Sequence, residues 1–485
     1  MDAIGLRSFA DIPAPAPDPE GWKGNALRFT LDPLPYMDDL LQSYGRVSAL
    51  VQGGNEGIMF PGQDCPGTVF CFGADLNREI LTRTDIFHSG PIIGPIYGTW
   101  QDDPRRAVLR RVGTGLFSLN GEVHQRHRRL IQPSFHRKRI ETYLDTMVSI
   151  AERTLDRWES GQSLDFQREM FQHTLTVAGR LLFGQDFSGT ADHLGSIIQR
   201  WLELIPIVSI EAAPEQYEAF FDLSQQIDDQ IRALIAWKRE FGDGQADVLA
   251  ELISARDESG DSLTEDELIG HINILLTAGH ETTANALSWT VFLLAQHPQV
   301  MQQLYDELQT VCGGNPPTVE HIGRLQVLDR VIKESMRLLP PVTMGTRVTA
   351  METMIDDYQL PVGTEVVFSH YHTHHDPLIY DQPRRFMPDR WLTIDPTPYQ
   401  YLPFSAGTRM CIGAPFAMME IKVTLAMMLQ RYRLAFQSGA CVDRFVWVPL
   451  RPEFMPLVVY SQDGRFDLSA APVSGSILEM VDFVV

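Results

Sequence analysis

What this chain has little of narrows the field first. Its five cysteines, Cys65, Cys71, Cys312, Cys411 and Cys441, are odd in number and scattered, without the paired spacing of a zinc site. A disulfide framework is therefore not expected, and a reducing cytoplasm is the natural compartment. No apolar run is long enough to cross a bilayer, and Met1 to Met37 is polar and proline-rich, without the apolar core of a signal peptide. A soluble protein is expected. Positive charge is scarce: 40 Lys and Arg against 62 Asp and Glu leave a net charge of −22, which speaks against nucleic acid or an anionic membrane as the main partner. Internal repeats and linkers between separate cores are also missing, while an apolar fraction of 44% argues against wholesale disorder.

What is present is mostly helix. The run Ile12–Pro19 is too rich in proline for a helix, so residues 1–26 read as an extended arm before a single domain over 27–485. Short strand-like runs stand near Arg46–Val51 and Thr68–Phe72. Helical periodicity then holds from about Ile140 to Leu339. Strand-like alternation returns at Thr346–Ala350 and Thr364–His370, and a last helix is predicted over Ala414–Tyr432. The fold class is mainly α with small β-sheets near both ends. One boundary is sharply drawn. Thr264 and Glu267 are spaced for a capping box, Leu263 and Leu268 for its hydrophobic staple, and Pro298 would stop the helix after His297. That rod would be roughly 50 Å long at about 1.5 Å per residue. Gly279 in its middle costs about 1 kcal/mol relative to Ala, which invites a functional reason.

Three motifs carry chemistry. In Phe404-Ser-Ala-Gly407-Thr-Arg409-Met-Cys411-Ile-Gly413, a cysteine stands just before a helix with a cation two residues earlier. Both features favour thiolate over thiol. Gly407 permits a tight turn, and Gly413 removes a side chain where a flat macrocycle could lie against backbone. A buried cysteine in a turn is the plain alternative for Cys-x-Gly alone. Glu334 and Arg337 share one helical face, a pairing that is commonplace in isolation. In Ala278-Gly279-His280-Glu281-Thr282-Thr283 an acid sits beside a hydroxyl in mid-helix; burying it would be costly without work or a partner, and a solvated patch is the alternative.

Together they are far more specific. The ten residues from Phe404 to Gly413 resemble the haem-binding signature Phe-x-x-Gly-x-Arg-x-Cys-x-Gly of the cytochrome P450 family at every defining position. The other two motifs stand in that family's order, 52 positions separating Thr282 from Glu334 and 77 separating Glu334 from Cys411. The resemblance covers roughly Leu27 to Val459. It implies a P450-like fold, haem b (iron protoporphyrin IX) as cofactor and Cys411 as its metal ligand. It implies a monooxygenase inserting one atom of dioxygen into an apolar substrate such as a fatty acid, terpenoid, steroid or polyketide-like molecule. Ala278 and Gly279 would leave room above the iron, Thr282 would hold water or oxygen through its hydroxyl, and Glu281 would relay protons. The thiolate would favour O–O cleavage. His280, between them, is a tempting base but reads as a helix-surface or packing residue.

By the same resemblance, Glu334, Arg337 and Arg390 (in Phe386-Met-Pro388-Asp-Arg390-Trp391) would form a buried structural triad. His124 and Arg128, with Arg409 and Arg347, would face the haem propionates; a surface cation is the alternative for each. Substrate contacts are expected from Ile274, Leu275, Ala278, Val342, Thr343 and Met344, with Ser89–Trp100 and Ile197–Ile210 as further walls. Only about 26 residues follow Val459, so electrons are expected from a separate ferredoxin or flavodoxin-like donor with its NAD(P)H reductase. Ten Lys and Arg between Arg105 and Arg139, against Glu122 alone, read as a docking patch for that donor or as a solvated face. The cluster His370, His372, His374 and His375 invites zinc, but His375-Asp376-Pro377 matches a common family turn and no cysteine is near. Two other readings remain: a peroxide-driven peroxygenase, whose kind usually lacks the Glu281–Thr282 pair, and a haem-thiolate sensor, which would not need it.

Overall fold

A computed structural model describes residues 7–54, 57–58, 65–90, 104–184, 191–210, 213–242, 247–447 and 449–483. The fold is mainly α with small sheets. Its axis is the central helix Glu265–Gln296. The capping box forms as the spacing predicts: the Thr264 hydroxyl accepts the Glu267 N–H at 3.3 Å, and Glu267 Oε2 accepts the Thr264 N–H at 2.7 Å. Leu263 and Leu268 are both buried beside it. Beyond its first turn the helix is buried on almost every side, as a helix apolar all round must be. The helix Phe166–Phe183 packs along it, and Arg106–Gly113, Pro214–Phe241 and Gln326–Leu338 pack around it.

The strands are β1 (Val47–Ala49), β2 (Thr68–Cys71), β3 (Phe87–His88), β4 (Ser163–Asp165), β5 (Met344–Thr349), β6 (Thr353–Ile355), β7 (Tyr358–Leu360), β8 (Glu365–Ser369), β9 (Tyr432–Phe436), β10 (Ala440–Cys441), β11 (Arg444–Val446), β12 (Leu450–Pro452), β13 (Pro456–Ser461) and β14 (Val473–Ser474). The largest sheet has the order β1-β2-β8-β5-β3, so it joins the two ends of the chain where separate sheets near each end were expected. β2 and β8 are parallel, with Phe70 opposite Val367; the other pairs in this sheet are antiparallel. β4, which sequence periodicity did not reveal, adds to β13 and β9.

The proline-rich segment is bound, not free. Pro13 O accepts the Ala49 N–H and Pro15 O the Gln52 N–H, each at 2.9 Å, and the first helix starts at Trp22, inside the stretch read as an arm. Ile12 joins a small core with Val69, Leu81, Leu402 and Ala406, which ties this sheet to the segment leading into Cys411. The predicted strand to His370 ends at Ser369, and His370–His374 is a short helix capped by the Ser369 hydroxyl. The four histidines thus never line one strand face, and no group of side chains able to hold a metal ion occurs among the described residues.

Candidate active site

Cys411 closes a turn that few sequences can make. Its N–H donates to Phe404 O at 2.8 Å, and Met410 N–H donates to Gly407 O at 3.1 Å. Ser405 and Gly407 both have positive φ, 57° and 69°. A Cβ on Gly407 would stand 2.9 Å from Leu81 O, so the turn requires glycine for its conformation and for its space. The helix Ala414–Arg431 starts immediately after. Protein crowding pushes the Cys411 thiol up. The N–H groups of Gly413 and Ala414 and the Arg128 guanidinium pull it down. The cation acting on the sulfur is therefore Arg128, not Arg409 as sequence proximity suggested. Arg409 turns away, donating to Leu116 O, Leu119 O and Asn120 Oδ1.

Four basic groups converge beside this turn. His124 and Arg128 come one turn apart from the helix Gly121–Ile131, Arg347 from β5, and Arg409 from the cysteine turn. They repel one another. Burial and then Arg409, Arg128 and Arg347 drive His124 down to about 4. Burial and then Arg409 bring Arg347 to about 10, and burial and then Arg128 bring Arg409 to about 10. None of the three arginines has an acid partner among the described residues. Arg128 donates to Met410 O at 2.8 Å, while Nε of Arg347 is buried without a partner. Cations gathered out of water without counter-charge favour a bound anion, and a group with two carboxylates meets that demand. These side chains therefore fit a propionate-bearing haem. Two members of this setting were not expected in it: Asn120 was given no role, and His370 was read only within the histidine cluster that invites zinc. Asn120 holds Arg409 and clasps Ser89 through both backbone groups. His370 has a buried, unpartnered Nε2 and feels Arg347.

The central helix presents the second set. Thr282 Oγ1 donates to Ala278 O at 2.9 Å, and Thr283 Oγ1 to Gly279 O at 3.1 Å. Glu281 is half-buried and burial raises its carboxyl, with Arg451 opposing and Glu203 reinforcing the rise. A Cβ on Gly279 would meet only Leu182 Cδ1, at 3.9 Å, so the glycine borders open space. His280 lies on another face. Its ring is buried against Phe171, with Nδ1 2.5 Å from Leu276 O, so of the surface and packing readings it is the packing one that holds. Ile274 packs against Gly115, Leu275 is half-buried, Met344 and Thr343 are buried, and Val342 bridges to Pro449. The Thr343 hydroxyl has no partner. Of the further walls, residues 91–100 lie outside the described residues, and Ile197–Ile210 belongs to the helix Ala191–Ile210.

Beneath lies a network around Glu334. Arg337 binds both its oxygens at 3.0 Å, Arg390 Nε donates to Oε1 at 2.8 Å, and Trp391 Nε1 donates to Oε2 at 3.0 Å. Arg337 also donates to the carbonyls of His374, Pro383 and Arg385, which fixes the meander before the cysteine turn.

The basic run is largely spent internally. Arg105 pairs with Glu218, Arg111 with Asp228, Arg126 with Asp257, Arg137 with Glu141 and Arg139 with Glu251. Arg129 and Lys138 stay exposed without an acid partner among the described residues. An open cleft of about 170 Å³ lies there, lined among others by Arg128, His136, Arg137, Met410 and Cys411.

Comparison with known proteins agrees with this geometry. The sequence profile described as Cytochrome P450 matches residues 97–447. Cyclooctat-9-en-7-ol 5-monooxygenase of Streptomyces melanosporofaciens is 31% identical over 376 residues, covering 74% of this chain and 78% of that protein. Pentalenene oxygenase of Streptomyces avermitilis is 30% identical over 406 residues, 82% of this chain and 86% of that one. The structure of retinoic acid bound cyanobacterial CYP120A1 shares the fold at a TM-score of 0.79 and 23% identity, over 94% of this chain and 100% of that chain. No described helix is long and apolar enough to cross a membrane. The chain belongs to the cytochrome P450 family of haem-thiolate monooxygenases.

Proposed function

We propose that Cys411 is the thiolate ligand of haem b and that the protein hydroxylates a terpenoid-like apolar substrate. The observation that carries the cofactor reading is the set His124, Arg128, Arg347 and Arg409, gathered beside Cys411 without an acid among them. Bound there, haem would supply the iron centre at which dioxygen is reduced and one oxygen atom passed to the substrate. The protein's own residues do the rest. Gly407 shapes the ligand turn, and Gly413 keeps the sulfur clear of a side chain. Ala278 and Gly279 leave room on the far side, the Thr282 hydroxyl positions a proton donor, and Glu281 carries protons in from solvent. Ile274, Leu275, Val342, Thr343 and Met344 supply an apolar wall with one unpartnered hydroxyl. The terpenoid class rests on relatives named for pentalenene and cyclooctat-9-en-7-ol.

Electrons would come from an acidic ferredoxin or flavodoxin-like donor with its NAD(P)H reductase, docking near Arg129, Lys138 and the cleft beside Cys411. Five free cysteines suit a reducing, cytoplasmic setting. The Glu281–Thr282 pair favours a dioxygen enzyme over a peroxide-driven one or a sensor. The direct test is Cys411→Ser. The reduced carbon monoxide complex should lose the red-shifted absorption band of a thiolate-ligated haem, and persistence of that band would sink the assignment.

A further inference from the structure

The helix Gly121–Ile131, which carries His124 and Arg128, is fastened to the start of the central helix by a chain of polar side chains. His127 and His271, one from each helix, are both 1% exposed. His127 Nδ1 lies 2.9 Å from His271 Nε2, and the two rings meet edge to face. The other nitrogen of His127, Nε2, lies 3.2 Å from Glu267 Oε1 and 3.2 Å from Arg126 Nη1. Arg126 in turn donates to Asp257 Oδ2 at 2.5 Å and to Ser262 O at 3.2 Å, in the segment before the central helix.

Proton positions follow from these contacts. A carboxylate only accepts, so a bond to Glu267 needs the proton on His127 Nε2. Nδ1 of that ring then accepts the Nε2–H of His271, and Nδ1 of His271 is a bare nitrogen. With the opposite tautomers Arg126 would donate to His127, but the Nδ1–H of His271 would be buried without an acceptor. Arg126 already has Asp257 and Ser262 O. His271 thus donates its one ring proton to His127, the only hydrogen bond its side chain makes among the described residues. Burial lowers both imidazoles, His271 to about 3, so the bond joins two neutral rings at neutral pH.

The place of this bond gives it a use. His127 directly precedes Arg128, which donates to Met410 O beside Cys411 at 2.8 Å, and it follows His124 by three residues. His271 lies on the central-helix face that carries Ala278 seven residues later. Glu267 serves both helices, since its Oε2 forms the central helix's cap while its Oε1 receives His127.

We propose that His271 is a positioning residue for the cofactor grip: through His127 it fixes the helix from which His124 and Arg128 face the propionates. The inference rests on the propionate contacts proposed above. A small rotation of that helix would carry both cations away from their anion, and a bond to His127 between them opposes it.

The test is resonance Raman spectroscopy of the haem-loaded protein, following the propionate bending band, which responds to hydrogen bonding at those carboxylates. His271→Leu should shift the band and speed haem transfer to apomyoglobin several-fold. His271→Gln, whose amide can still bond to His127, should restore most of both. An unmoved band in His271→Leu overturns the proposal, as does a glutamine variant that behaves like the leucine one. Arg347→Gln reads the propionate contacts separately, from β5. If it alone moves the band, those contacts stand and the coupling falls; if neither variant moves it, both fall. Should His271→Leu fail to take up haem, the unaltered protein with isotope-labelled histidine nitrogens carries the test. In its carbon monoxide complex a scalar coupling across the His271 N–H···N bond to His127 must appear, and two uncoupled rings would overturn the proposal.

Discussion

At the scale of single residues, the most demanding position is Glu334. It is fully buried, and it answers two guanidinium groups, an indole N–H and the Met387 N–H at once. A buried charge network contributes little if replaced whole, but losing one member strands the others. Glu334→Ala should therefore cost about 3–5 kcal/mol in chemical denaturation, since Arg337 and Arg390 would keep their charge without an acid. A loss under 1 kcal/mol would mean that the arginines find other partners. The sequence pattern allowed this residue to be named but not weighed, because an i,i+3 Glu–Arg pair looks the same on a solvated face. Arg409 shows the opposite limit. Its place two residues before Cys411 suggested that it acts on the sulfur, whereas the turn swings it to Leu116 O and Leu119 O and brings Arg128 in from a distant helix. Local spacing carries no information about such a crossing.

Among elements, the central helix was the most legible. Its cap, staple and proline stop are local devices, and they set its limits to within a residue of expectation. The two glycines of this helix were less so. Gly279 stood out by position, but Gly270 is the sterically tighter one: a Cβ there would lie 1.7 Å from Thr114 O. That contact is made by the helix Arg106–Gly113 and the turn after it, which no helix periodicity reveals. The two glycines should separate in experiment. Gly270→Ala should lower the thermal midpoint by several degrees, because backbone must move. Gly279→Ala should hold or raise it, gaining up to about 1 kcal/mol of helix propensity. It should also weaken the spectral response to bulky apolar ligands. Equal midpoints would show that the helix contact can yield.

Across the whole molecule, charge is arranged more sparingly than composition suggests. The basic run from Arg105 to Arg139 looked like one patch against a background of −22. Folding consumes much of it in pairs that pin helices together, such as Arg111 to Asp228 and Arg126 to Asp257. Reversing Arg126 would thus disturb packing and could not report on docking. Arg129→Glu with Lys138→Glu is the cleaner variant. It should weaken association with an acidic ferredoxin several-fold at low ionic strength, with the difference fading as salt rises. Unchanged affinity at low salt would return those side chains to a merely solvated face.

The bound prolines near the N-terminus have a bearing on how copies of this protein meet. β1 is the outer strand of its sheet, and an outer strand offers unpaired backbone groups to any passing chain. Here Pro13 and Pro15 take up the outward N–H groups of Ala49 and Gln52. Because proline has no N–H of its own, Pro13 and Pro15 meet this edge as acceptors only. The outer side of β1 is thus occupied at Ala49 and Gln52 by the chain's own N-terminal strip, which leaves those positions closed to edge-to-edge pairing with another copy.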